Sequence, residues 1–270
     1  MRPAVQLRAV VLAGARPGEV DPVARAAGVR SKCLAPVAGR AMVERVVEAL
    51  AGLPDLDRIL LLADPSAGLE RLAAIARELA AGRLALRTPE TSPSASVAAA
   101  LAEAGEEPLL VTTADHPLLD RPILEAFLDP ALSSGAAVVV GLAPEAAVRV
   151  TAPSTRRTWW RFRDGRFSGA NLFLLRGAAA RPALAFWRRV EAERKRPWRI
   201  VRLMGFANLL LYLTGRLTLE QAMARASRML GCPVTAVSIP IGAAAIDVDR
   251  PEDLVLVETL LARRAAGSGA

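Results

Sequence analysis

Three stretches of this chain carry residue types and spacings that suit phosphate chemistry. The first is VVLAGARPGEVDPVARAAGVRSKCLAPVAGR, Val10 to Arg40. A short apolar run ends there in Leu12, Ala13, Gly14 and Ala15. A loop so poor in side chains lets backbone N–H groups come close to a phosphate or a base. Arg16, Arg25, Arg30 and Lys32 follow in a segment that reads as loop, where they could clamp a polyphosphate; a solvated surface loop is the alternative reading of the same residues. The pattern is neither GxGxxG nor GxxxxGK with a following Ser or Thr, so the dinucleotide fingerprint and the P-loop lose support.

The second stretch is LLVTTADHPLL, Leu109 to Leu119. Asp115 stands just past the end of the most apolar run. A carboxylate at the carboxyl end of a parallel strand meets ligand rather than core, and a lone Asp there suits a Mg²⁺ carried in by phosphates. The competing role is a helix cap for the segment after Pro117. His116, the single histidine, reads as a bystander. The third stretch is GAAAIDVDRPEDL, Gly242 to Leu254. Its two carboxylates are expected to face opposite sides of an extended stretch, Asp247 joining Asp115 at the metal and Asp249 capping the helix that follows; two solvated carboxylates are the alternative reading.

The elements that must position these residues alternate along the chain. Arg8–Leu12, Ile59–Ala63, Leu84–Leu86, Pro108–Thr112 and Ala136–Leu142 read as strands. Between them, apolar residues recur at helical spacing at Met42, Val43, Val46, Val47 and Leu50, at Leu69, Leu72, Ala73, Ala76 and Leu79, over Ser96–Ala104, and from about Pro122 to Leu128. The pattern predicts a parallel sheet with right-handed crossovers, whose ligands bind at the carboxyl ends of the strands. TWWRFRDGRF then predicts a hairpin at Asp164-Gly165, followed by a strand in NLFLLRG. Residues 178–231 read as three helices broken at Pro197 and Gly215, ahead of a strand Val234–Ile239 and a last helix from Pro251 to about Arg263. The expected organisation is a single domain over 1–265, with 178–231 inserted and a frayed tail at 266–270.

Composition narrows the partners. The chain has 270 residues, 53 % apolar and 23 % charged, which excludes intrinsic disorder. Cys33 and Cys232 have no CxxC spacing, so neither a zinc site nor a redox pair is expected, and a reducing cytoplasm fits. The net charge of +8 favours an anionic partner. Nucleic acid is not expected, because no basic segment carries interleaved stacking residues.

Together the three stretches resemble the MobA-like NTP transferase superfamily over roughly residues 9–142 and 234–261. That family opens with LAGG or AAGxG, an Arg and K-x-L-x-x-x-x-G-x-P-M; this chain has LAGA, then KCLAPVAGRAM. The family's metal Asp in D-x-P is matched by Asp115 in DHP, and its closing D-x-D-x-P-x-D-L by DVDRPEDL. Ala15 and Ala41 depart from the pattern, and the stretch before Lys32 is longer than in typical members. The resemblance implies an α/β, three-layer Rossmann-like fold of GT-A type, with a mostly parallel sheet and a helical insertion before the last strand. It implies transfer of a nucleotide from an NTP, CTP or GTP by preference, to a phosphorylated small-molecule or lipid-precursor acceptor, with Mg²⁺ and release of pyrophosphate.

The same resemblance implies site roles. Lys32 and Arg25 are the expected catalytic cations, with Leu12, Ala13, Gly14, Ala15, Ser94 and Ser96 at the nucleotide. Asp115 and Asp247 are expected at the metal, and Gly169 and Asn171 at the acceptor. A GT-A glycosyltransferase or an inactive nucleotide-binding module are the alternatives. KRPWRIVRLMGFANLLLYLTGR, Lys195 to Arg216, is too short and too basic at its start to span a bilayer. It reads either as a packed core helix or as a peripheral contact with an anionic membrane.

Overall fold

The computed structural model describes residues 6–14, 21–193 and 206–267. The expected alternation is present. Strands β1 (Leu7–Leu12), β4 (Leu56–Leu62), β5 (Leu84–Arg87), β6 (Pro108–Thr113), β7 (Val138–Pro144), β9 (Gly165–Arg176) and β10 (Val234–Ser238) form one sheet in the order β10-β7-β9-β6-β1-β4-β5; β8 (Trp160–Phe162) pairs β9 at the side. Neighbours pair in parallel except at β9, which runs antiparallel to both β6 and β7. A small hairpin, β2 (Pro36–Val37) with β3 (Arg40–Ala41), lies apart.

Ten helices are described: α1 (Pro22–Ala26), α2 (Met42–Ala51), α3 (Ala73–Ala80), α4 (Pro93–Ala104), α5 (Arg121–Ser133), α6 (Glu145–Thr151), α7 (Arg181–Ala192), α8 (Phe206–Leu213), α9 (Leu219–Leu230) and α10 (Pro251–Gly267). Side chains alternate across a strand, so each strand feeds two cores. Leu7, Ala9 and Val11 of β1 pack with α2, α3, α5 and α10 through Val46, Ile75, Phe127 and Val257. Val10 faces the other way, with Val97 and Leu101 of α4 and Leu184 of α7. Helices on both faces of a mostly parallel sheet make a three-layer Rossmann-like fold.

Several local expectations shift, each for a physical reason. The segment after the Gly14 loop holds α1 rather than continuous loop, because Asp21 accepts N–H bonds from Val23 (2.8 Å) and Ala24 (3.2 Å) and Pro22 sits in the first turn. The apolar repeat from Leu69 begins as a 3₁₀ turn, and α3 starts only at Ala73. The β8–β9 turn is Arg163-Asp164, one residue earlier than expected, and Asp164 Oδ1 accepts from Leu219 N–H at 2.9 Å. Within the expected helical insertion, α7, α8 and α9 are described; residues 194–205, which include the first half of the segment read as a core helix or membrane contact, and the end of the tail fall outside the described residues. Among the described residues no helix is long and apolar enough to cross a membrane.

The 3₁₀ turn Gly242–Ala245 sets the entry of the closing DVD segment, and Gly242 is buried there. A Cβ on Gly242 would lie within the contact radius of the Ala147 carbonyl oxygen and the Thr151 hydroxyl. Backbone cannot swing aside as a side chain does, so Gly242→Ala is expected to lower stability by ~1–3 kcal/mol or more. Urea unfolding checks it: the midpoint falls while the m-value holds.

Candidate active site

Three segments far apart in sequence meet at the carboxyl edge of the sheet. The first arrives through β1, whose loop is tied to its neighbour by the Ala13 N–H donating to the Leu62 carbonyl at 2.9 Å. It continues to Lys32, which opens a 3₁₀ turn anchored by buried Cys33. The β2–β3 turn just beyond contains Ala38 and Gly39, both at positive φ, which explains a glycine in KCLAPVAG. The second segment is β6, whose extension past Thr113 is held by the Ala114 N–H donating to Leu12 carbonyl at 3.0 Å. The third is the DVD segment, fixed to the second because Val248 N–H donates to the Asp115 carbonyl at 2.9 Å.

Lys32 sits where they meet. Its Nζ donates to Asp115 Oδ2 at 2.7 Å and to Asp249 Oδ1 at 2.9 Å. Burial opposes the charge on Lys32, but the two carboxylates outweigh it and raise its pKa above the ordinary lysine value, so the group stays an ammonium. The other Asp115 oxygen, Oδ1, is buried and has no hydrogen-bond partner. The alternative role for Asp115 is taken by another residue: Asp120 caps α5, accepting from Ile123 N–H at 3.0 Å.

The expected division, Asp247 beside Asp115 and Asp249 as helix cap, is not what the structure shows. Two residues apart in an extended segment share a face, so Ile246 and Val248 both enter the core and both carboxylates turn to the site side. Asp249 is the one beside Lys32 and Asp115. Asp247 is held by the Arg157 guanidinium and by Asn171 Nδ2 at 2.8 Å, so both its oxygens are engaged. Burial raises the Asp247 pKa in spite of Arg157. Nor does Asp249 cap the last helix. Asp253, inside its first turn, reaches back to accept the N–H groups of Arg250 (2.9 Å) and Asp249 (3.0 Å).

Two cavities open here and share Asn171 and Asp249. The larger, about 1000 Å³, is lined by Leu12, Ala13, Gly14, Lys32, Asp115, Phe173 and Trp187 among others. The smaller, about 670 Å³, is lined by Arg156, Arg157, Trp160, Ser168, Gly169 and Asp247 among others. Leu12, Ala13, Gly14, Lys32, Asp115, Gly169 and Asn171 are thus brought to the cavities, while Ala15 falls outside the described residues.

Three expected residues are not brought there. Arg25 is exposed on α1 and lines neither cavity, because the Asp21 cap turns that residue into helix surface. Ser94 and Ser96 are buried inside the first turns of α4; Ser94 donates to Glu191 of α7, and Ser96 Oγ accepts the Glu90 N–H at 2.8 Å. At that end of the cavity Pro93 forms the wall instead. Sequence reasoning missed Arg157, Phe173 and Trp187. Arg157 directly precedes the TWWRFRDG signal, and no spacing rule points to it.

A carboxylate–ammonium cluster at the carboxyl ends of a Rossmann-like sheet, below a side-chain-poor loop, defines a nucleotidyltransferase. The chain belongs to the MobA-like NTP transferase family, whose domain model matches residues 9–196. A structure described as a hypothetical transferase from Thermus thermophilus is 38 % identical, with TM-score 0.77, over 94 % of this chain and 100 % of that one. The 2-C-methyl-D-erythritol 4-phosphate cytidylyltransferase of the same species shares the fold at 19 % identity and TM-score 0.50, covering 94 % and 98 %. CMP:2-keto-3-deoxy-manno-octonic acid synthetase complexed with CTP does so at 14 % and 0.56, covering 96 % and 99 %. No curated protein matches the sequence.

His116 lies under this site without lining it. It is wholly enclosed, with Nε2 3.3 Å from the Ala243 carbonyl, and burial lowers its pKa. The unfolded chain therefore takes up a proton near pH 6.5 that the folded chain refuses, so stability is lost as pH falls below that value. His116→Asn is expected to flatten this part of the stability profile between about pH 7 and 5, measured as the urea midpoint against pH.

Proposed function

We propose that this enzyme moves a nucleoside monophosphate from an NTP onto the phosphate of an acceptor, releasing pyrophosphate. The observation that carries the reading is Lys32 held between Asp115 and Asp249 at the floor of the larger cavity. The strand order supports a division of the edge. The NTP lies over the β1 loop at Leu12, Ala13 and Gly14, the reacting phosphorus lies above β6, and the acceptor lies on the β9 side near Asn171 and Gly169.

In-line attack on phosphorus needs positioning and charge neutralisation more than covalent chemistry. Lys32 supplies a fixed positive charge for phosphate oxygens. Loop N–H groups around Gly14 supply dipoles to the triphosphate. Asp247 works as a strut: with Arg157 and Asn171 it fixes the segment that presents Asp249.

The residues present fit a divalent cation. Asp115 Oδ1 is a buried, unpartnered carboxylate oxygen, and Asp249 lies beside the same ammonium. Among the described residues no group of three or more ligand side chains is arranged around one point. Two carboxylates are enough for Mg²⁺, which takes one or two and completes its shell with waters and phosphates. Asp115 and Asp249 would hold it, where it would neutralise charge developing on the phosphate oxygens.

CTP is the first NTP to test, because two neighbours of the same fold are named for cytidine nucleotides; GTP is the second. Two free, buried cysteines support a cytoplasmic setting. The deciding experiment incubates the protein and Mg²⁺ with each of four NTPs and a panel of phosphate monoesters, and measures pyrophosphate. Release that needs both an NTP and an acceptor is expected; its absence with every pair would sink the reading.

Two variant series follow. Lys32→Ala should slow pyrophosphate release by ~10²–10³, the scale for one preorganised donor at a reacting oxygen, and Lys32→Arg should restore it only in part. Asp115→Ala and Asp249→Ala should both remove the Mg²⁺ response, whereas Arg25→Ala should leave the rate within about twofold, as for an exposed surface change. Titrating Mg²⁺ into chelator-treated wild type and variants checks this. A normal Mg²⁺ response in Asp249→Ala would return the ligand role to Asp247.

A further inference from the structure

The larger cavity has an apolar wall that the transfer of a nucleotide does not itself require. Phe173 stands in the middle of the sheet, in register with Val111 on one side and Val140 on the other, yet it is 36 % exposed while Val111 is 3 %. Trp187 of α7 lines the same space. The strand order puts Phe173 on β9, past Asp115, on the side away from the β1 loop. Phe173 therefore belongs to the acceptor's side.

A second observation points the same way. Leu142 to Pro144 of β7 pair with Gly169 to Phe167 of β9, so the β8–β9 hairpin stands at the carboxyl ends of the parallel strands, beside the site. Its Trp160, 49 % exposed, lines the smaller cavity. Helix α8 is fixed to this hairpin: the Tyr212 hydroxyl accepts the Arg161 N–H at 3.3 Å, and the Tyr212 ring meets Phe162 with centroids 5.9 Å apart. That helix leaves Leu210 and Leu213 at 52 % and 70 % exposure. Apolar side chains thus stand in both cavities, Phe173 and Trp187 in the larger and Trp160 in the smaller.

We propose that the acceptor is an amphiphile, a phosphate monoester on a hydrocarbon chain, with the phosphate at Lys32 and the chain over Phe173 and Trp187. This rests on the nucleotidyl-transfer reading above. A dianionic phosphate oxygen forms the new bond to the α-phosphorus. The bond from that phosphorus to the bridging oxygen breaks, and the oxygen leaves with the β- and γ-phosphates as pyrophosphate. The dianion has no proton to lose, so no general base is needed. A polar sugar phosphate would leave Phe173 and Trp187 against water or hydroxyls, whereas each methylene fully buried on them favours binding roughly fourfold.

The test is a series of ethyl, butyl, hexyl and octyl phosphate, kept below micelle-forming concentrations, beside glycerol phosphate and a hexose phosphate. Pyrophosphate release is followed with CTP and with GTP, and binding of the ethyl and octyl esters is followed by calorimetry. The expected result is a kcat/KM that rises at least about tenfold from ethyl to octyl phosphate, with the slope flattened in Phe173→Ser and in Trp187→Ala. A flat or falling series in the wild type, or a preference for the polar esters, overturns the proposal without need of any variant. Should no pair release pyrophosphate, nucleotidyl transfer fails by itself. Calorimetry then still decides the wall: octyl binding no tighter than ethyl overturns it, and tighter octyl binding weakened by Phe173→Ser upholds it.

Discussion

The bridge from Lys32 to Asp115 and Asp249 joins residues 83 and 217 positions apart and is the constraint on which the site depends. Each partner would be costly there alone. Two carboxylates facing one another repel, and a partly buried ammonium loses hydration. Together they hold the loop after β1, the end of β6 and the approach to α10 at one point. Asp249 is well exposed and its pairing is screened by water, so the contact contributes placement more than stability. A charged cluster that water can reach is also one whose partners can be exchanged for phosphate.

Around this point the structure separates carboxylates by environment. Asp247 is enclosed by Arg157 and Asn171, and Arg157 also donates to the Asp247 carbonyl at 2.7 Å. Asn171 takes a left-handed backbone conformation, φ 50°, which Asn tolerates better than most residues. Its side-chain amide can therefore meet Asp247 from a strand that would otherwise point elsewhere. The result is a rigid frame behind Asp249, leaving Asp115 Oδ1 and Asp249 free of that frame.

The antiparallel strand β9 decides the shape of the acceptor side. Inserted between two strands that run the other way, it exposes Phe173 to the larger cavity and carries Asn171 and the hairpin that bounds the smaller one. A purely parallel sheet would place a crossover helix there. The antiparallel wedge instead leaves room for two cavities meeting at Asn171 and Asp249.

Much of this was legible in the chain itself. Uninterrupted apolar runs such as VVL and LLVTT have to be buried on both faces, and helical spacing between them dictates a layered parallel sheet. Asp115 and Lys32 were also legible, because a charged residue just past a buried strand, or in a short motif of fixed spacing, has few places to go. Roles that depend on direction were not. The fate of Asp247 and Asp249 was set by which neighbour each meets, Arg157 from a loop 90 residues away or Lys32 from one 217 away. Ser94 and Ser96 matched a pattern, but Ser94 turns to Glu191 of α7 and Ser96 to the Glu90 N–H of the loop entering α4. Arg25 was lost to a local cap, and Arg157, Phe173 and Trp187 gained their places from strand order and helix docking. Periodicity along a chain reports which residues are buried, whereas only the folded packing of distant segments fixes which polar groups face one another.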